Sequence, residues 1–456
     1  MKLYDKTKID KNNMMYDTRA LLALAIPVII EQLLSSLMGT VDTMMVSNVS
    51  EEALSAVSLV DSINVLVFQV FAALATGGTI ICSQYIGFGD NAKANKTARQ
   101  VVIAVITISM LLTGICCIFR YPILNLIYGD VDAVVMNDSA VYFFITALSF
   151  PFLALFNAGS AFCRAAGDSK FPMRVSVISN GINIIGNAIL IFVFHMGVAG
   201  AAYATLLSRI FCAVVVFWGL RKPDNVIVIN NYREFEVDWK LILVILSVGI
   251  PSGIENGMFQ FGKLAIQSSV ATLGTTSMAA QAMTNILELV NSVGAIGVGI
   301  AMMTVVGQAI GAGRKEEAKY YIVKMTIIAE IVLVASCILV FAITKPVTIL
   351  ANMTPESAAL CFEMTCYITI VKPVIWIFSF LISYGIRAAG DIKFSMIVSV
   401  CTMWLCRVAL ATYLIRVVGI GILGVWIGMF ADWFIRGIIF SIRFISGKWL
   451  DKKVIE

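Results

Sequence analysis

The sequence predicts an all-α polytopic membrane protein, with twelve transmembrane helices in two six-helix bundles related by a pseudo-twofold axis along the membrane normal. Three observations predict it. First, the 456 residues are 59% hydrophobic and only 13% charged, with a mean hydropathy of +0.91. A soluble domain carries about 25% charged residues. Second, the apolar residues gather in runs of the ~20 residues that a spanning helix needs. Third, one unit is written twice. Residues 164–173 read R-A-A-G-D-S-K-F-P-M, and 387–396 read R-A-A-G-D-I-K-F-S-M. Gln84-x-x-Gly87-x-Gly89 returns as Gln308-x-x-Gly311-x-Gly313, and Ile26-Pro27-x-x-x-Glu31 as Ile250-Pro251-x-x-x-Glu255. The offsets are 223, 224 and 224.

The spans run in order along the chain. Span 1 (21–46) comes after a tail holding Lys2, Lys6, Lys8, Lys11 and Arg19. Span 2 (56–83) runs toward Gly87 and Gly89, then Lys93, Lys96 and Arg99. Span 3 (101–119) stops at Arg120, and span 4 (140–163) meets Arg164, Lys170 and Arg174. Span 5 (171–195) ends on His195. Span 6 (198–220) leads into 221–240, the longest polar interior connection, with Arg221, Lys222, Arg233 and Lys240. Span 7 (241–272) opens the second half, and span 8 (279–306) precedes Arg314, Lys315, Lys319 and Lys324. Span 9 (320–343) precedes Lys345, and span 10 (360–386) meets Arg387 and Lys393. Span 11 (394–418) holds Arg416, and span 12 (420–445) leads to Arg443, Lys448, Lys452 and Lys453.

Twenty-five of these basic residues fall on one side; only Arg120, Lys345 and Arg416 fall on the other. The positive-inside rule therefore places both termini in the cytoplasm. Six spans per half is an even number, so both halves enter the membrane in the same sense. The expected divisions are a tail 1–20, an N-terminal bundle 21–220, a linker 221–240, a C-terminal bundle 241–445 and a tail 446–456. A duplicated hydrophobic unit of this kind is the mark of a secondary transporter.

The first 19 residues are polar and of mixed charge, so no signal peptide is read. Net charge +5 suits cytoplasmic loops on a lipid surface and is no argument for nucleic acid. The ten cysteines have one histidine, His195, to join them. They are read as packing residues, with neither disulfides nor zinc expected. His195 is expected at the membrane interface. In the R-A-A-G-D turns, arginine can bond helix-end carbonyls, glycine can stop a helix, and Asp168 and Asp391 can cap the next one. Gly87/Gly89 and Gly311/Gly313 are expected to end spans 2 and 8 likewise. No Walker loop or ATPase domain is present, so active transport must draw on an ion gradient.

Ionisable groups within spans are costly and mark function. The first half offers Glu31, Asp42, Asp61 and Arg209. Eleven helical steps return to within about 20° of the start, so Glu31 and Asp42 share a face about 16 Å apart. Asn183 and Asn187 share another face. With Tyr142 and Thr205 these groups are expected at one level in the outer half of the first bundle. They would form an all-oxygen environment for a hard cation or a proton, with Na+ on Asp42, Asn183 and Asn187 one candidate. Separate helix-packing hydrogen bonds are the alternative. The second half carries Glu255, Lys263, Glu288, Glu330, Lys372, Arg407, Asp432 and Arg436. Asp432 and Arg436 read as an i, i+4 bridge. Glu255, after a kink at Pro251, and Glu288 are expected to line a substrate cavity, with Lys263 and Lys372 able to neutralise them.

These residues carry a resemblance. Pro27, Val41-Asp42-Thr43-Met44-Met45, the two glycine motifs, Arg164-Ala-Ala-Gly167-Asp168 and Gly197-Val-Ala-Gly200-Ala-Ala-x-Ala-Thr205 together resemble the multidrug and toxic compound extrusion (MATE) transporters over about residues 15–450. The resemblance implies two six-helix bundles in a V and drug export driven by inward Na+ or H+. Asp42 matches the family's span-1 acid. The family's Asn-x-x-x-Asp pattern falls on Asn183 and Asn187, where the second acid is an amide. Tyr142 and Thr205 match further positions of that site. The span-7 acid of some members falls near Gln260, and their span-10 acid is not evident.

The function expected is an antiporter exporting cationic amphipathic or aromatic compounds for Na+ or H+ by alternating access. It would act as a monomer in the inner (cytoplasmic) membrane, with the bilayer as its medium, no nucleic-acid partner and no cofactor beyond the coupling ion. A lipid-linked precursor flippase is the runner-up, and would favour more arginines than the spans hold. A membrane enzyme would need a nucleophile–base or metal constellation, for which one histidine is poor material.

Overall fold

The computed structural model describes the chain apart from residues 1–3, 6, 8, 11, 12, 130, 131, 231–235, 453 and 456. Lys2, Lys6, Lys8, Lys11, Arg233 and Lys453 of the charge count lie outside the described residues. Among those described, the regular elements are all helical. They are α1 (Thr18–Ser47), α2 (Glu51–Phe88), α3 (Asn91–Ile118), α4 (Arg120–Tyr128), α5 (Ala133–Leu148), α6 (Phe150–Ala165), α7 (Lys170–Asn187) and α8 (Gly197–Gly219). The second half continues with α9 (Trp239–Ala271), α10 (Thr275–Gly311), α11 (Lys315–Leu350), α12 (Pro355–Ala388), α13 (Ile392–Thr402), α14 (Ala411–Tyr413) and α15 (Leu423–Ser446). Residues Ala188–Val193, Met403–Leu410 and Leu414–Val418 are π-wound, continuing α7 and flanking α14.

Among the described residues eleven helical segments are long and apolar enough to span a bilayer, and α5 with α6, taken as one bent span, makes a twelfth. The expected span 4 is thus not one straight helix. It bends by 42° between Leu148 and Phe150, where Pro151 opens α6. Proline is accepted in a first helical turn but removes a donor from the helix before it. Pro27 and Pro251 do not divide their helices; α1 and α9 run through them.

The chain sorts into two compact units, Leu33–Gly253 and Met1–Gln32 with Ile254–Glu456. α1 and α9 each contribute to both. The division therefore falls inside these two helices. In the first unit α2 packs on α3, α5 and α6, and α7 packs on α8. In the second, α10 packs on α11 and α12, and α12 on α15. Lipid offers no hydrophobic drive between spans, so close approach depends on small residues. A side chain on Gly159 would meet Val216, one on Gly299 would meet Tyr384, and one on Gly385 would meet Ile322.

The duplicated turns differ in detail. Gly167 (φ +88°) and Gly390 (φ +107°) adopt the left-handed conformation that ends the preceding helix. Asp168 caps α7, its Oδ1 accepting from the Lys170 and Phe171 amides at 3.0 and 3.1 Å. Asp391 does not cap α13 through its side chain; its carboxylate pairs with Arg443 at 2.6 Å. Gly89 and Gly313 are left-handed at the ends of α2 and α10, whereas Gly87 and Gly311 remain helical. His195 is exposed, with φ +51°, in the turn before α8.

Candidate functional site in the Leu33–Gly253 unit

Asp42 lies on α1, five residues before its end. It is 9% exposed, and Asn183 and Asn187 on α7 are fully buried. Their approach follows from small residues between α7 and α8. A Cβ on Gly186 would stand 3.1 Å from that of Ala204, and one on Gly200 3.0 Å from the Leu190 backbone. Asn187 Nδ2 donates to Asp42 Oδ1 at 2.6 Å and to Asn183 Oδ1 at 3.2 Å. Asn183 Nδ2 donates to Thr205 Oγ1 on α8 at 3.3 Å. The π turn begins at the residue after Asn187, and such turns collect at functional sites.

Tyr142 on α5 reaches this region through a second carboxylate. Its hydroxyl donates to Asp61 Oδ1 at 3.4 Å, and Asn64 Nδ2 donates to the same oxygen at 3.3 Å. Arg209 on α8 donates to Ser149 Oγ at 2.6 Å, at the α5–α6 break. Among the described residues it makes no ion pair, though Asp61 and Arg209 both act on Asp42 through space. Two carboxylates therefore face one guanidinium that pairs with neither, and the group is one positive charge short. Asn187 Oδ1 is buried with no hydrogen-bond partner. Five of the six expected site residues, all but Glu31, fall in this unit. Glu31, also buried, belongs to the other unit.

The expected cavity acids of the second half are held by cations. Glu255 Oε1 lies 2.5 Å from Arg387 Nη2, so the duplicated arginine serves an ion pair. Glu288 Oε1 lies 2.7 Å from Nζ of the fully buried Lys372, which also donates to Ser292 Oγ at 2.6 Å. Asp432 and Arg436 form their expected bridge, at 2.8 and 3.0 Å. Gln260 is half-buried, on the same helix as Glu255. No group of three or more His, Cys, Asp or Glu that could hold a metal occurs among the described residues.

The MatE family model matches residues 27–189 and again 251–414. The chain belongs to the MatE family. The second match starts 224 residues after the first, the spacing of the internal repeat. A Thermotoga maritima protein described as a probable multidrug resistance protein NorM is 27% identical, over 96% of this chain and 94% of that one. An uncharacterized transporter, YisQ of Bacillus subtilis, is also 27% identical, over 95% and 96%. Rabbit multidrug and toxin extrusion protein 1 is 25% identical, over 91% and 72%. A solved structure described as the outward-facing conformation of a multidrug resistance MATE family transporter superposes with a TM-score of 0.87 at 22% identity, over 94% and 96%. This MatE chain is thus a multi-span helical membrane transporter of the multidrug efflux kind, and its relatives are named as transporters, not enzymes.

Two participants escaped the sequence reading. Asn64 comes three residues after Asp61, one helical turn, a signal that was available. Ser149 became a partner for Arg209 only through the bend in span 4.

Proposed function

We propose that this MatE transporter is an antiporter coupled at Asp42, exporting amphipathic organic cations in exchange for H+. One observation carries the reading: the Asp42–Asp61–Arg209 group holds one buried negative charge without a fixed partner. An ionised acid buried within a membrane span is costly. Taking up a monovalent cation removes that cost, and releasing it restores the charge. H+ is preferred to Na+ because Asn187 turns toward Asp42 its NH2 group, which cannot ligate a metal ion. Na+ is the second reading. The unpartnered Asn187 Oδ1 supports it, since an amide turned over would present oxygen to the ion. Both termini are placed in the cytoplasm on the distribution of lysine and arginine.

Purified protein in proteoliposomes, with separate H+ and Na+ gradients, tests this. Efflux of a cationic dye driven by a pH gradient without Na+ is expected. Efflux that tracks only the Na+ gradient selects the second reading. Efflux indifferent to both removes Asp42 coupling.

A further inference from the structure

In the unit containing Ile254–Glu456, most cations within the spans are paired. Arg387 is taken by Glu255, Lys372 by Glu288 and Arg436 by Asp432. Two cations remain. Lys263 Nζ and the Arg407 guanidinium each lie 5.0 Å from the centroid of the Phe259 ring. Neither makes a hydrogen bond or ion pair among the described residues. Arg407 is 6% exposed, and its Nε is buried without a partner. Lys263 is exposed beside it.

The position is built. Gly262 allows α9 to pack on the π-wound segment: a side chain there would meet Met403 and Val408. Ser269 and Thr412 hydrogen-bond at 3.2 Å. These contacts hold Phe259 and Lys263 against Arg407. An aromatic face attracts cations but returns only part of what water gave them. Two like charges on one ring also repel. An oxyanion at the ring edge, within reach of both, would offset the repulsion and accept from the unpartnered Arg407 Nε. Guanidinium suits carboxylate and phosphate geometry.

We propose that Lys263 and Arg407, which both approach Phe259, form a subsite for an oxyanion, occupied by the carboxylate of an amphipathic zwitterion carried by the transporter. The zwitterion's cationic part is what the export reading assigns to cargo, and the subsite rests on that reading only for calling its ligand cargo. The Lys372–Glu288 and Arg436–Asp432 pairs hold no charge in reserve, so the anion is drawn to Lys263 and Arg407. Lys263, the exposed member, meets the ligand first.

The test is binding to full-length protein in nanodiscs of zwitterionic lipid. The probes are an aromatic amino acid amphipath and its methyl ester, which keeps the amine and loses the anion. Wild-type protein should bind the acid about tenfold or more tightly than the ester, as expected for a charge-assisted hydrogen bond. Lys263→Glu, a change at an exposed side chain, should abolish or invert that preference. Arg407→Gln should weaken the acid alone, and Arg407→Lys should restore part of it. Equal wild-type affinities, or an unchanged preference in Lys263→Glu, overturn the subsite. Anionic lipid that competes with the acid in wild type and not in Lys263→Glu supports the oxyanion site and assigns it to a lipid headgroup. Repeating the binding in Asp42→Asn separates the two proposals: a kept preference with lost gradient-driven efflux supports both.

Discussion

Asn187 and Asp42 are 145 residues apart in the chain, and the amide of one donates to the carboxylate of the other at 2.6 Å. That bond ties α7 to α1 at the one buried acid of α1 within the Leu33–Gly253 unit.

Asp42→Asn should abolish gradient-driven efflux while the protein still folds and inserts. The amide keeps the volume and can hydrogen-bond Asn187, but it cannot carry a charge. Efflux rates in proteoliposomes, with detergent-extracted monodispersity as the folding control, decide it. Coupled efflux at the wild-type rate would remove Asp42 from the mechanism.

Asn187→Asp should move the site toward Na+. A second carboxylate against Asp42 cannot ionise freely beside the first, so the pair retains a proton or a metal ion more tightly. Na+ stimulation of efflux at neutral pH is the expected gain. A variant whose efflux ignores Na+ as the wild type does would show that the amide is not what excludes the metal.

The α7 face that carries Asn183 and Asn187 was readable because a helix places i and i+4 together, and the direction of each span put Asp42 and Thr205 near that level. Other parts were not readable for physical reasons. Arg387 looked like a helix-end cap, and its partner Glu255 is 132 residues away, a distance at which helical periodicity says nothing. The junction of Phe259 with Arg407 depends on π winding at Met403–Leu410. Each π turn adds a residue and rotates the helix beyond it, so extrapolated helix faces fail there.

Lys372→Met should lower thermal stability by about 3 kcal/mol, the lower end for breaking a buried pair. It would leave Glu288 ionised beside Ser292 with no cation in contact. Adding Glu288→Gln should recover most of the loss. Thermal melts of both variants in one detergent measure this. A double variant no more stable than the single would show that packing around Lys372, and not charge, is what matters.

Tyr16, in the tail before α1, donates to Gln308 Oε1 at 2.7 Å. Burial pushes its hydroxyl up to about 12 from an ordinary value of 10.0. The raised value means that the docked tail holds the proton more tightly than the free tail does. Stability from this contact is therefore complete below about pH 10 and is lost as pH rises from about 10 to about 12. Protease sensitivity of the tail should rise across that window in wild type. Tyr16→Phe should remove the alkaline step, and a step of the same size in that variant would assign it to another group.

Glu255→Gln should reduce binding of a cationic ligand and of its uncharged analogue by the same factor. The carboxylate would neutralise a bound cation only if it were free, and Arg387 lies 2.5 Å from it. Both side chains are mostly buried, at 14% and 11% exposure, so losing the acid strands a guanidinium where water is scarce. The damage is then structural, of the order of 3–5 kcal/mol for a broken buried pair, and indifferent to ligand charge. Glu255→Gln combined with Arg387→Gln should restore much of the stability, because neither charge is left alone. Affinities for the matched pair of ligands, measured with thermal melts of the single and double variants, separate the two roles. Selective loss of the cationic ligand with normal stability would mean that Glu255 leaves Arg387 to meet the ligand. Its place would then be in the binding site and not in the scaffold.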